Sequence, residues 1–373
     1  MARTVVGLDI GSAGVRAGEF AVGRRTPSLR RFASVDLPEG AIRAGTVADP
    51  EAVTEALREL WSQGKFSTKT VVLGIANESV LVRQMDLEWM PPADFRKALR
   101  YQVADALPVP VDEANLDYYM LDEIDVAEEG QDEPRRVARV MLVAAGREMV
   151  DGFVRAVQAA GLRPVRVDLL PFALVRAVSP VADPDAPVEA VVDIGADTVA
   201  VVVHQGGRPR FVRTLSGHGG DAITRSLMDR YEWAREDAER TKVVLGLPGH
   251  TASVGDPGAA DAAADAADSS WSDHPALQVI AEQVDALAGE LRATLNYYRT
   301  SAAGAPDLSR IVLTGNGARL AGLPEALSDQ LGVPVTRFDV LQRVRKPRRL
   351  KLKEDALTAL AVPAGLCLGV AAS

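Results

Sequence analysis

A single cysteine, Cys367, in 373 residues excludes an internal disulfide framework, and a reducing compartment is expected. Four scattered histidines, at positions 204, 218, 250 and 274, show no metal-ligand spacing. An excess of positive charge is missing too: the formal net charge of -9 gives no general attraction to nucleic acid or anionic lipid. No apolar run is long and clean enough to cross a bilayer. The opening Met1-Ala2-Arg3 leads into a short strand-like run that contains Asp9, unlike a signal-peptide core. A cytoplasmic protein is expected, with any membrane role exercised through a partner or a surface contact.

What remains is an ordinary globular composition, 47% hydrophobic and 25% charged, in a chain longer than one core usually fills. Two or more domains or subdomains follow. The run Val5 to Phe20 reads as a strand, a polar glycine turn and a second strand, and Ser28 to Leu37 as a third. Asp49-Pro50 then opens an amphipathic helix through about Gln63, with Asp49 as N-cap, and Thr70 to Ala76 is a buried strand. The second half repeats this order: Glu189 to His204, Arg208 to Leu215, a helix from about Asp221, and Arg310 to Thr314. A duplicated α/β unit is the simplest account.

Between the halves lies a segment of α+β character: strand-like Glu78 to Leu87, helical Pro92 to Leu107, strands at Asn115 to Ile124 and Arg136 to Ala145, a helix at Glu148 to Ala160, and a strand at Leu162 to Val167. The acidic run Glu128 to Glu133 reads as an exposed hairpin tip. Gly249 to Ser272, rich in Ala, Asp, Gly and Ser, reads as disordered.

Two turns carry the chemistry. Asp9-Ile10-Gly11-Ser12 and Asp193-Ile194-Gly195-Ala196-Asp197-Thr198 each sit at the end of a hydrophobic run and each open a hairpin. A turn glycine lets backbone N–H groups approach an anion, and the Ser12 or Thr198 hydroxyl adds a donor. The preceding carboxylate would repel phosphate directly but can hold Mg2+ through its waters. One aspartate beside a glycine is most often a turn former. Two copies in matching positions point to a clamp on one polyphosphate.

These hairpins resemble the phosphate loops of the actin-like ATPase superfamily, which includes actin, DnaK-type chaperones, hexokinase-like sugar kinases and bacterial FtsA. The resemblance implies an actin-like, ribonuclease H-like duplicated fold, with two lobes around a nucleotide cleft and an inserted α+β subdomain in the first. It implies phosphate-side contacts at Gly11, Ser12, Arg16, Gly195, Ala196, Asp197 and Thr198, and Mg2+ near Asp9 and Asp193. The strand and glycine turn Ile311 to Gly317 resembles the adenosine loop, with Gly315-Asn316-Gly317 where the family has Gly-Gly; standing alone it is equally an ordinary βα turn. Glu239 and Lys242 fall one helical turn apart. The resemblance makes them ribose and adenosine contacts, whereas a solvent salt bridge is the commoner use of such a pair.

The insertion narrows the choice. Met85-Asp86-Leu87, Pro91 to Phe95, Ala98 to Pro110, Leu116-Asp117-Tyr118, Val143 to Ala145 and Leu162 to Asp168 follow in an order that resembles PilM, the cytoplasmic actin-like component of the type IV pilus inner-membrane platform. The resemblance spans essentially the whole chain. It divides it into a first lobe (1–77, returning at 167–187), the inserted subdomain (78–166), and a second lobe (188–225 and 300–373) with a small subdomain (226–299). Such proteins grip the N-terminal cytoplasmic tail of PilN, which pairs with PilO. The implied partners are therefore a PilN-like tail, indirectly a PilO-like protein, pilus motor ATPases and a second copy of the chain, at the inner face of the membrane and without direct nucleic acid. An extended tail suits a groove beside a strand and an amphipathic helix. Leu99, Val103 and Leu107 are candidates to line it, and core positions by the simpler reading.

ATP with Mg2+ is the implied ligand pair, yet Leu170 stands before Pro171 where the family's hydrolases carry a water-orienting polar residue. Asp168 is the nearby carboxylate that could substitute, Asp197 in the second turn is another candidate metal or water contact, and slow or absent hydrolysis is expected. A sugar kinase on this fold would need a base aimed at a substrate hydroxyl, and no motif supplies one. An FtsA-like adaptor would carry an amphipathic C-terminal anchor, but Leu357 to Gly369 is apolar all round and interrupted by Pro363, as in a buried helix. The basic run Arg343 to Lys353 could touch anionic lipid, and reads more simply as a solvated loop before the last helix.

Overall fold

The computed structural model describes residues 3–23, 26–126, 134–179, 183, 185–247, 274–301, 306–347, 350, 352 and 354–371. Glu128 to Glu133 and Gly249 to Ser272 lie outside the described residues, as do Arg348, Arg349, Lys351 and Lys353 of the basic run.

Two five-stranded sheets repeat one pattern. In the first, β1 (Arg3–Gly11), β2 (Gly14–Val22) and β3 (Ser28–Asp36) form an antiparallel meander, and β6 (Thr70–Ile75) and β10 (Arg163–Leu169) add in parallel beside β1, giving the order β10-β6-β1-β2-β3. The short β4 (Ile42–Arg43) and β5 (Thr46–Val47) pair with each other. In the second sheet β11 (Val188–Ile194), β12 (Thr198–Gln205) and β13 (Arg208–Ser216) make the meander, and β14 (Arg310–Thr314) and β15 (Val335–Arg337) take the places of β6 and β10. Strands β1, β6 and β11 are nearly continuous hydrophobic runs because both faces of each sheet are covered.

Helix α1 (Pro50–Gly64) starts as its sequence dictates: Asp49 accepts from the Glu51 and Ala52 N–H groups at 3.1 and 3.0 Å, and Val53, Ala56, Leu57 and Leu60 turn inward. The inserted module holds β7 (Leu81–Glu88), α2 (Pro92–Gln102), β8 (Ala114–Val126) and β9 (Arg135–Gly146), in a sheet of order β7-β9-β8. Its small core takes Leu87, Phe95, Leu99, Val103, Ala138, Val140 and Leu142, with Leu107 packed on its margin. Leu99 and Val103 are thus core residues.

The expected boundary at 166 differs from the sheet. Helix α3 (Arg147–Ala159) packs Met149, Val150, Phe153 and Val157 against Val53, Leu57 and Leu60 of α1, and β10 pairs with β6. Both therefore belong to the first lobe, and the inserted sheet ends at Gly146. Strand β7 begins at Leu81 rather than Glu78, because Asn77 caps a turn by accepting from the Ser79 N–H at 2.7 Å.

The second lobe continues with α5 (Gly220–Tyr231), α6 (Arg235–Leu245), α7 (Ala276–Ser301) and α8 (Leu323–Leu331). Two helices lie between the sheets: α4 (Leu170–Val178) and the closing α10 (Ala361–Ala371), which follows the short α9 (Glu354–Ala359). Leu170, Leu174 and Val178 share one core with Val191 and Val202 of the second sheet, and with Val362, Leu366 and Cys367 of α10. The helices nearly touch: a Cβ on Gly365 would sit 1.9 Å from the Ala173 carbonyl oxygen, so only glycine fits there. The terminal apolar helix is buried, as its all-round hydrophobicity predicts. No helix among the described residues is long and apolar enough to cross a membrane.

Candidate functional site

The equivalence of the sheets puts the two turns at equivalent places. Asp9 lies opposite Arg16 across the first hairpin and level with Gly74 of β6; Asp193 lies opposite Ala200 and level with Thr314 of β14. Arg16 Nη1 stands 3.5 Å from Asp9 Oδ2, and the Thr314 hydroxyl donates to Asp193 Oδ1 at 2.7 Å. Burial raises the pKa of Asp9 against the opposing pull of Arg16. Burial also pushes Asp193 up to about 6, with the Thr314 hydrogen bond opposing it and the Asp9 charge adding to it. The two carboxylates, one from each lobe, are thus near enough for the charge of Asp9 to act on Asp193.

The turns also touch. The Asp197 N–H donates to Ser12 Oγ at 3.2 Å, joining the two lobes at their turns. The second turn is fixed from behind by α5: the Gly220 N–H donates to the Gly195 carbonyl at 2.9 Å and the Asp221 N–H to the Ala196 carbonyl at 2.8 Å. Thr198 closes the turn, its carbonyl accepting from the Gly195 N–H at 2.9 Å. Sequence reasoning started this helix at Asp221 and missed Gly219 and Gly220; the signal was the run Gly217-His218-Gly219-Gly220 just ahead of the acid.

The adenosine-side candidates converge on the same helix start. Lys242 Nζ lies 2.8 Å from Glu239 and donates to the Gly220 carbonyl at 3.1 Å and to Thr224 Oγ1 at 2.7 Å. Lys242 is therefore aimed into the fold, while the Glu239 side chain stays partly exposed. Gly315, at φ 82, and Gly317 pack on Ile194 at the end of β11, where a Cβ on either would come within 2.4 Å of it. Gly317 and Gly220 border a recess of about 360 Å3, measured out to open solvent, whose other walls include Ile194, His218, Gly219 and Leu320. Asn316 points elsewhere, accepting from the Thr358 hydroxyl at 2.7 Å.

Asp168 lies on β10 level with Gly74, hence in one row with Asp9 across three parallel strands. Its carboxylate is ion-paired with Arg176 of α4, whose Nε donates to the Gly365 carbonyl at 3.2 Å. Asp168 thus fastens α4 and α10 to the first sheet.

Among the described residues no cluster of three or more His, Cys, Asp or Glu side chains could enclose a metal. A pair of largely buried carboxylates still suits Mg2+, which keeps several waters and takes one or two carboxylates plus phosphate oxygens. Burial, which raises the pKa of both Asp9 and Asp193, disfavours their ionised forms, and a divalent cation would stabilise them.

The family model of the type IV pilus assembly protein PilM matches residues 7–257. The chain belongs to the PilM family. A solved PilM-PilN type IV pilus biogenesis complex contains a chain 26% identical to this one, with a TM-score of 0.80 and coverage of 100% of this chain and 99% of that one. More distant in sequence are the ethanolamine utilization protein EutJ from Carboxydothermus hydrogenoformans (17% identical, TM-score 0.53, 99% and 90% covered) and MreB5 of Spiroplasma citri bound to ADP (13%, 0.53, 98% and 95%). The family model of cell division protein FtsA matches residues 190–359, the second lobe of this PilM-family chain. The fold is the actin-like ATPase fold, as the two hairpins implied.

Proposed function

We infer that this PilM-family protein is a Mg-ATP-binding cytoplasmic adaptor of type IV pilus assembly that holds the N-terminal tail of a PilN-like membrane protein and hydrolyses ATP slowly or not at all. The observation that carries the nucleotide half is the pair Asp9 and Asp193, at equivalent ends of duplicated hairpins and close enough for one charge to act on the other. Bound Mg2+ would neutralise phosphate charge there. Ser12, the backbone of Gly195 to Thr198 and Arg16 would hold the phosphates. Lys242, tied to the helix start at Gly220, and the glycine loop at Gly315 and Gly317 would border the nucleoside.

Slow turnover follows from what surrounds the would-be water. Leu170 is buried at the start of α4, and the carboxylate of Asp168 is engaged by Arg176. Neither is arranged to polarise water, so turnover should stay well below the common enzyme range of about 1 per second and above.

The partner half rests on the family and on the inserted module. Five of the eight exposed large apolar residues among those described, Tyr101, Val109, Tyr119, Met120 and Val126, lie on it. A fluorescent peptide copying the cytoplasmic tail of a PilN-like protein, titrated with Mg-ATP, Mg-ADP and no nucleotide, tests both halves. Saturable binding at about micromolar Kd or tighter is expected. Its absence in every state would turn the assignment toward a self-assembling, FtsA-like role.

A further inference from the structure

The lobes are joined at a second place, away from the phosphate turns. Glu39, in the first-lobe segment after β3, ion-pairs with Arg235 Nη2, at the first residue of α6 in the second lobe, at 2.8 Å. Arg235 also pairs through Nη1 with Asp221 in the first turn of α5. The other oxygen of Asp221 takes Arg225 Nε at 3.0 Å, one helical turn along, and Arg225 Nη2 reaches Asp197 Oδ1 at 3.3 Å. Asp197 in turn donates its N–H to Ser12 in the first lobe. One continuous polar chain therefore leaves the first lobe at Glu39, crosses two helix starts of the second, and returns to the first lobe at the phosphate turn.

We propose that Glu39 and Arg235 form a clasp that holds the lobes together and that Asp221 and Arg225 connect this clasp to the second phosphate turn. Arg235 is the fixed half, held by Asp221 with 31% of its side chain exposed; Glu39, at 68%, is the detachable half. An ion pair so exposed is weak and salt-screened, which suits a contact that must open. Its far end is Asp197, whose N–H and the Ser12 hydroxyl are the groups a phosphate would claim. Phosphate that takes the Asp197 N–H displaces Ser12 Oγ from it, and movement of this turn passes through the Asp197 carboxylate to Arg225 and on to the Asp221–Arg235 pair. Clasp and nucleotide occupancy are then linked reciprocally. This coupling rests on the nucleotide reading above; the clasp itself does not.

Nitroxide labels at Glu55→Cys on α1 and Ala286→Cys on α7 report the separation of the lobes by electron–electron double resonance. Cys367 is fully buried and stays unlabelled. Without nucleotide, Glu39→Gln should lengthen and broaden the distance distribution. Raising salt from about 0.05 to about 0.5 M should move the parent protein toward the variant and leave the variant unchanged. Release of a fluorescent ATP analogue should be about twofold to fivefold faster from Glu39→Gln, the range of one exposed ion pair. Identical distributions in parent and Glu39→Gln would overturn the clasp, whether or not ATP binds. Distributions that shift with Glu39→Gln in a protein that ignores Mg-ATP would keep the clasp and overturn both its coupling and the nucleotide reading.

Discussion

Ser12 and Asp197 stand 185 positions apart in the chain and share a hydrogen bond, N–H to Oγ, at 3.2 Å. Each belongs to a turn proposed to hold phosphate, and in this arrangement the Ser12 hydroxyl oxygen accepts the N–H that Asp197 would offer an anion. On the proposed reading, a phosphate entering between them would exchange that one bond for two, one from the Ser12 hydroxyl and one from the Asp197 N–H. Ser12→Ala removes one charge-assisted hydrogen bond to phosphate and should weaken Mg-ATP by about tenfold to a hundredfold. Asp9→Ala removes an acceptor for metal-bound water and should cost more, together with the dependence on Mg2+. Calorimetry with and without Mg2+ checks both; equal Mg-dependent affinity in parent and Asp9→Ala would sink the clamp.

Asp193 makes the metal-free protein sensitive to pH. Its folded pKa, about 6, lies above its unfolded value of 3.8, so between these values the folded state binds more protons and stability falls as pH rises. The contribution is fully present below about pH 4 and lost once pH passes about 6, where ionised Asp193 costs roughly 1–3 kcal/mol. Asp193→Asn keeps an acceptor for Thr314 and carries no charge. Without metal it should melt several degrees above the parent at pH 8, with the difference shrinking toward pH 4.5. Excess Mg-ATP should stabilise the parent alone.

Much of this was legible in the sequence because the signals are local. Asp49-Pro50 announced α1, and an aspartate and glycine ending each hydrophobic run announced Asp9 and Asp193. The spacing of Glu239 and Lys242 announced their pairing, though only the fold shows it aimed at Gly220. Assignment of segments to sheets was not legible. The patterns of α3 and β10 give their type, but only the parallel pairing with β6 places them in the first lobe. Glu39 and Arg235 are 196 positions apart and carry no local mark of each other. Asp168 looked free as a residue near the cleft, and its partner Arg176 lies two turns into the next helix.

Gly365 tests the packing between the lobes. A methyl group there would overlap the Ala173 carbonyl and force α10 away from α4, opening the core that both sheets share. Gly365→Ala should therefore destabilise by about 1–3 kcal/mol or more, despite alanine's better helix propensity. Denaturant melts give the value. A neutral or stabilising result would show that α4 and α10 are not packed this closely.

Cys367 offers a readout of the same core that needs no activity. Its thiol is fully enclosed on α10, lies 3.5 Å from the Val5 carbonyl, and is pushed well above the ordinary thiol pKa by burial. A disulfide reagent at pH 8 should find no thiolate in the native protein, so modification waits for α10 to leave the first sheet. The rate should then follow the open fraction and rise steeply with denaturant. A ligand that binds only the folded state lowers that fraction, by about 100-fold at 100 times its Kd. Mg-ATP should slow the reaction by that factor in the parent and scarcely at all in Asp9→Ala. Rapid modification in the absence of denaturant would refute the enclosed position of α10, and a rate indifferent to Mg-ATP in a protein that resists the reagent would refute nucleotide binding.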